Sequence, residues 1–190
     1  MNQWYEKEPE RLTREKEAAR RYLADVFFPK IGDGGDLQMV GRLAVTFRER
    51  MLYDIRLRFV YPSDFLQRGR YPKVLDHDHV FDWDDAESHI NSDGSFCLGI
   101  IGTEELQRVS QPSYSLAGFL QYVRVYLAGQ YVYQHDKRRA MLHGGKARWP
   151  GQAWSHGQAG IEEALREAGP NSLCPCGSGK KRKHCQCGLG

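Results

Sequence analysis

The sequence predicts an α+β fold, an antiparallel sheet flanked by helices. Residues 39–47 and 52–61 alternate apolar and polar side chains with period two, the mark of strands with one wet face. Residues 9–28 and 115–133 instead carry apolar residues at helical spacing. The composition agrees: of 190 residues, 41% are hydrophobic and 27% charged, which suits a folded globular chain and not a disordered one.

Each element has its own signals. In the segment 9–28, Leu12, Ala19, Tyr22, Leu23 and Val26 share one helical face. Pro9 suits a first helical turn, and Pro29 with Gly32-Asp33-Gly34-Gly35 is expected to end the helix. In 39–47 the odd positions Met39, Leu43, Val45 and Phe47 are apolar. In 52–61 the odd positions Tyr53, Ile55, Leu57, Phe59 and Tyr61 are apolar, with Asp54, Arg56 and Arg58 between them. Arg48-Glu49-Arg50 is a short polar connection, so the two strands predict a hairpin. Pro62 and Pro72 mark two turns before a short third strand. A long helix is expected over 115–133, with Leu116, Phe119, Leu120, Val123, Tyr126 and Leu127 as its apolar stripe and Ser113 or Ser115 as its cap. A shorter helix is expected near 161–168, stopped by Gly169-Pro170. The chain has no internal repeat and no low-complexity segment.

Charge and hydropathy bound the function. No apolar run reaches the roughly 18–20 residues that span a bilayer. The first residues, Met1-Asn2-Gln3-Trp4-Tyr5-Glu6-Lys7-Glu8, contain no signal-peptide core, so a cytoplasmic location without membrane association is expected. A net charge of +3 is too small to require a nucleic-acid partner. The run Lys180-Lys181-Arg182-Lys183 is a local basic patch.

Five cysteines are present, and Cys97 alone lies outside the C-terminal tail. It comes after Asn91-Ser92-Asp93-Gly94, a string of turn formers. A thiol beside a tight turn can reach a substrate, and neighbouring backbone N–H groups can stabilise its thiolate. Ile90-Asn91-Ser92-Asp93-Gly94-Ser95-Phe96-Cys97-Leu98 resembles the active-site loop of ubiquitin-conjugating enzymes, where a His-Pro-Asn triplet precedes Ile-Asn-x-x-Gly-x-Ile-Cys-Leu. The resemblance places Cys97 at the thioester-forming position. The triplet positions are Glu87-Ser88-His89, so His89 stands where the family has an asparagine credited with steadying the oxyanion. Three alternatives are open: His89 takes that role, Asn91 supplies it from two residues away, or the second chemical step differs. An acid such as Asp93, Glu104 or Glu105 is available to orient the acceptor lysine; the family often places one two residues past the cysteine, where this chain has Gly99.

The order of elements extends the resemblance. Tyr61-Pro62-Ser63-Asp64-Phe65 and Tyr71-Pro72-Lys73-Val74 resemble the family's aromatic-Pro-x-Asp/Glu-Tyr-Pro and Pro-Pro-Lys-Val elements, with Gln67-Arg68-Gly69-Arg70 as an insertion. The resemblance implies a meander sheet and covers about residues 9–160, its specific part about 59–100. Beyond His135 the eukaryotic pattern fades. Arg148-Trp149-Pro150 to Trp154-Ser155-His156-Gly157 resembles the segment after the core in bacterial relatives, where His156 is either a site residue or a turn residue beside packed tryptophans.

Cys174, Cys176, Cys185 and Cys187 crowd into the tail, and in a reducing compartment such crowding points to metal binding. The stretch from Asn171 to Cys185 resembles the SEC-C motif, a small zinc knuckle. Zinc prefers four sulfur or nitrogen ligands. Cys174, Cys176 and Cys185 fill three positions; Gln186 occupies the usual fourth, leaving Cys187 or His184 to complete the set. The expected organisation is a catalytic region over residues 1–160, a linker over 161–170 and a zinc motif over 171–190.

Together these features resemble the stand-alone bacterial ubiquitin-conjugating-like enzymes of CBASS anti-phage operons. The resemblance implies that Cys97 forms a thioester with the C-terminus of a protein partner, a cGAS-like nucleotidyltransferase, and passes it to a lysine on a protein. Two other classes fit the same residues: a catalytically silent binding module, and an isopeptide hydrolase pairing Cys97 with His89 or His156.

Overall fold

The structure, a computed structural model, describes residues 3–29, 35–65, 67, 70–83, 88–91, 93–98, 114–144, 170–171 and 180–185. The fold is α+β. A four-stranded antiparallel sheet runs in the order β1-β2-β3-β4, with β1 Ala24–Phe27, β2 Leu37–Phe47, β3 Arg50–Tyr61 and β4 Lys73–Asp76. Helices α1 Trp4–Lys7 and α2 Pro9–Tyr22 precede it, and α3 Leu116–His143 comes after it. The chain divides into two compact units. One comprises Met1–Ala44, Asp54–Asp84 and Ile90–Leu120, the other Val45–Tyr53, Asp85–His89 and Gln121–Gly190.

Helix α2 begins at Pro9 as expected but ends at Tyr22, short of the expected end at residue 28. The Leu23 N–H donates to the Ala19 carbonyl at 2.9 Å and closes the helix. The next residues pair with β2 instead, Ala24 opposite Arg42 and Phe27 opposite Val40. Val26 and Phe27 favour an extended backbone once a partner strand is present. The Asp25 carboxylate holds Arg42 at 3.0 Å across the pair. Tyr22, expected on the buried face, is 39% exposed, whereas Ala19 and Leu23 are buried.

The expected hairpin forms between β2 and β3. Its turn is Arg48-Glu49, both left-handed at φ +45° and +64°, the conformation that a two-residue connection needs to match strand twist. Met39, Leu43, Val45 and Phe47 are buried, as are Ile55, Leu57, Phe59 and Tyr61. The alternation changes phase at the start of β3: Leu52 is buried and Tyr53 only half-buried. Tyr53 sets its ring edge-on to Tyr131, with centroids 6.0 Å apart. Strand β4 pairs with β3 through Leu57–Asp76, Arg58–Leu75, Phe59–Val74 and Val60–Lys73. It is the short strand expected after the proline turns, fourth in the sheet because β1 was not foreseen.

The core of the first unit is aromatic. Phe65, placed by a turn in which its N–H meets the Pro62 carbonyl at 3.0 Å, packs 4.9 Å from each of the Trp4, Tyr61 and Tyr114 rings. Such pairs contribute about 0.5–1.5 kcal/mol each beyond the area they bury.

Helix α3 is capped by Ser115, whose Oγ accepts the Gly118 N–H at 3.2 Å. All six residues of the expected stripe are buried. The helix runs past the expected end at residue 133 to His143, because the intervening residues include no breaker. Gly144, left-handed at φ +73°, is the terminator. Val125, Ala128, Gln130, Val132 and Tyr133 are buried as well, so the covered face is wider than one stripe. Among the described residues no helix is long and apolar enough to cross a membrane. The segment 161–168 lies outside the described residues.

Candidate active site

The loop that carries Cys97 is a small hairpin attached to β4. The Phe96 N–H donates to the Val74 carbonyl at 2.7 Å, and Ser95 bridges Leu75 in antiparallel sense while Ile90 bridges Phe96. At the tip, the Gly94 N–H donates to the Asn91 carbonyl and the Asn91 N–H to the Ser95 carbonyl, both at 2.8 Å. This is the bonding of a short hairpin loop that closes on a left-handed residue, and Gly94 has φ +77°. A side chain there meets a second obstacle, since a Cβ on Gly94 would lie 2.5 Å from the Trp83 ring.

Side chains lock the same tip. Asp93 Oδ1 accepts the Ser95 N–H at 3.0 Å and the Ser95 hydroxyl at 2.5 Å. Asp93 Oδ2 holds the Lys73 ammonium at 3.0 Å. These partners, the Ser95 hydroxyl foremost, bring the Asp93 carboxyl down to about 2. Asn91 Nδ2 donates to Ser95 Oγ at 2.9 Å, which engages one of its two amide hydrogens. Asp93 therefore acts within the loop, fixing its shape.

Cys97 stands where the chain leaves this pairing. The Leu98 N–H donates to the Phe96 carbonyl at 3.0 Å, a three-residue turn with Cys97 at its centre. Phe96 and Leu98 are both 4% exposed, while Cys97 is only half-buried. Two buried neighbours thus anchor the turn, with Cys97 less covered than either. Tyr71 is within electrostatic reach. Burial first, and the charge of the Cys97 thiolate second, raise its phenol above the ordinary value.

His89 belongs to the second unit, one residue before the bridge at Ile90. It is left-handed at φ +54°, a conformation uncommon outside glycine that histidine adopts more readily than most residues. Its carbonyl accepts the Tyr126 hydroxyl at 2.8 Å. Gln130, fully buried, donates to the Ser88 carbonyl and to the Tyr126 oxygen. Helix α3 thereby fixes two successive carbonyls on the approach to the loop.

The structure gathers Asn91 and Cys97 on one hairpin of the first unit and places His89 in the second. Glu104, Glu105, His156, Cys174, Cys176 and Cys187 lie outside the described residues. Of the expected zinc ligands, His184 and Cys185 are described. They sit on a 3-10 turn over Arg182–His184, where the Cys185 N–H meets the Arg182 carbonyl at 3.0 Å. Among the described residues no group of three or more His, Cys, Asp or Glu side chains is placed to hold a metal ion. Sequence reasoning missed Tyr71 and Trp83 as parts of the loop's surroundings, and Gln130 as the donor to the Ser88 carbonyl. The available signals were an aromatic beside Pro72, a glycine needing a close neighbour, and a glutamine four residues after Tyr126 on the same helical face.

No protein-family model, no curated protein and no solved structure matches the chain.

Proposed function

We propose that the chain is a conjugating enzyme of the ubiquitin-conjugating type, carrying the C-terminus of a protein partner as a thioester on Cys97 and transferring it to a lysine. The observation that supports this most is the position of Cys97, only half-buried at the centre of a turn whose flanks are buried. A carrier thiol must meet a large partner and still hold one geometry, and this placement meets both demands.

Loading exchanges one thioester for another and is nearly balanced in free energy. The partner's carbonyl carbon bonds to the Cys97 sulfur, and the donor thiol leaves. Discharge forms an amide and is downhill, but the lysine must first lose a proton against an ordinary pKa near 10.4, roughly three units above neutral. Partial desolvation at the site eases that loss. A hydrogen-bond donor at the developing oxyanion is worth on the order of 100-fold. His89 and Asn91 remain the proposed donors, Asn91 with one amide hydrogen already committed to Ser95. In the tail, the proposed zinc ligands are Cys174, Cys176 and Cys185 with Cys187 or His184; thiolate and imidazole donors suit zinc, whose binding would supply folding energy to a segment this short.

The partner proposed is a cGAS-like nucleotidyltransferase, with control of anti-phage signalling as the outcome. Incubation with that partner, supplied as a C-terminal thioester, is expected to give an adduct released by reducing thiol and absent from Cys97→Ala. An adduct that persists in Cys97→Ala would overturn the assignment. Turnover of a preformed isopeptide conjugate without any acceptor would favour the hydrolase instead.

A further inference from the structure

We propose that Tyr71 is a catalytic residue of the Cys97 site, donating its phenolic hydrogen to the oxygen of the acyl group held on the sulfur. This rests on the thioester reading above.

Three observations support it. The first is chain direction. The Val74 carbonyl takes the Phe96 N–H, and Leu75 faces Ser95 in antiparallel sense. The chain running back from Val74 and the chain running on from Phe96 therefore leave the pairing at the same end, and these are the segments that carry Tyr71 and Cys97. The second is support for the ring. Tyr71 packs against Phe119 with centroids 5.7 Å apart and planes at 39°. Phe119 is fully buried and packs in turn against Tyr114 at 5.8 Å. The phenol is thus carried on a fixed platform. The third is electrical. Burial, the larger cause, holds the phenol above its ordinary value also when the sulfur is acylated and uncharged, so it stays protonated, a donor, throughout the neutral range.

The role comes from the chemistry of discharge. The lysine nitrogen bonds to the thioester carbon, and the carbonyl π pair moves onto oxygen. Collapse re-forms the carbonyl, breaks the C–S bond and returns its electron pair to Cys97. The proton lost by the amine passes to the leaving thiolate or to water. Tyr71 keeps its own proton and lends it as a hydrogen bond to the transient oxyanion, strongest when the charge there is greatest. Loading needs this help less, because a thiolate is both a good nucleophile and a good leaving group. The ubiquitin-conjugating element that Tyr71-Pro72-Lys73-Val74 resembles has a proline at this position, which offers no donor.

The test uses the full-length chain, the N-acetylglycyl thioester of mercaptoethanesulfonate as acyl donor and free lysine as acceptor. Tyr71→Phe keeps the ring on Phe119 and removes only the hydroxyl. Intact mass reads acyl-Cys97, and chromatography reads acyl-lysine. Tyr71→Phe is expected to load Cys97 as the parent does but to discharge about tenfold more slowly or worse, with kcat reduced and KM for lysine unchanged. Undiminished discharge in Tyr71→Phe overturns the role of Tyr71 and leaves the thioester reading intact. Equal loss of loading and discharge also overturns it, marking the residue as structural. If neither protein acylates Cys97, the thioester reading fails and the role of Tyr71 with it.

Discussion

Asp93 and Glu15 are carboxylates that each accept hydrogen bonds from hydroxyl groups, yet the protein moves them in opposite directions. Asp93 sits at the tip of the Cys97 hairpin with its side chain half exposed, held by Ser95 and Lys73, and its carboxyl falls to about 2. Glu15 lies on α2 at 8% exposure, accepting the hydroxyls of Tyr61 at 3.0 Å and Tyr114 at 3.3 Å. Its carboxyl is raised, because burial outweighs both hydrogen bonds and the nearby Arg11 and Arg14. The same burial, with Glu15 beside them, carries the phenols of Tyr61 and Tyr114 well above their ordinary values. Hydrogen bonds lower both carboxyls, and the net direction depends on whether the cost of leaving water exceeds them. At the loop tip the polar network shapes a surface; under α2 it ties the helix to β3 and to the start of α3.

Substitutions separate the two networks by size of effect. Glu15→Ala is expected to be the most costly, leaving two buried hydroxyls without their acceptor at about 2–4 kcal/mol in chemical denaturation. Glu15→Gln sharpens the point, since it keeps an acceptor and removes the charge. The folded protein binds the Glu15 proton more tightly than the unfolded chain does. Wild-type stability therefore carries this contribution in full below the ordinary carboxyl pKa and loses it as pH rises through the raised one. Glu15→Gln should flatten that decline; a wild-type profile parallel to the variant's would break the contrast.

Gly94→Ala comes next. Forcing a side chain into the left-handed conformation costs about 1–2 kcal/mol, and the approach to Trp83 adds about 1 kcal/mol or more. The loss should appear in stability and in slower loading of Cys97, as the hairpin shifts. Asp93→Asn is expected to cost least, about 0.5–1 kcal/mol, because its ion pair with Lys73 is exposed on both sides. Here the sign reverses. The Asp93 contribution is present above the unfolded pKa near 3.9 and is lost as pH falls toward about 2. A stability loss in Asp93→Asn as large as that in Glu15→Ala would erase the distinction between surface and buried networks.

The two networks also differ in how far the sequence reveals them. Asn91, Asp93 and Gly94 announce a turn because their partners lie within the same few residues, so the chemistry is local. Glu15 looks like one more polar residue on an amphipathic helix. Its partners lie 46 and 99 residues away, and only tertiary packing brings them in. The end of α2 was hidden for a similar reason: Leu23 and Val26 continue the helical period, and pairing with Arg42 and Val40 overrides it. The core stripe of α3 was legible from its spacing, but its length was not, since the terminator is Gly144. At the site, Cys97 stood out by its neighbours, while Tyr71 read only as part of a proline turn until β4 set its direction.

Replacing Cys97 by serine offers the most direct measurement. The full-length chain and Cys97→Ser would each be incubated with the proposed nucleotidyltransferase partner, supplied as a C-terminal thioester of mercaptoethanesulfonate so that a donor thiol can leave, and read by intact mass before and after treatment with a reducing thiol. A thioester carrier gives an adduct on the parent chain that the thiol removes, and an adduct on Cys97→Ser, now an oxygen ester, that the thiol leaves in place. No adduct on either chain, or a thiol-resistant adduct on the parent mapping away from Cys97, would contradict Cys97 as the carrier.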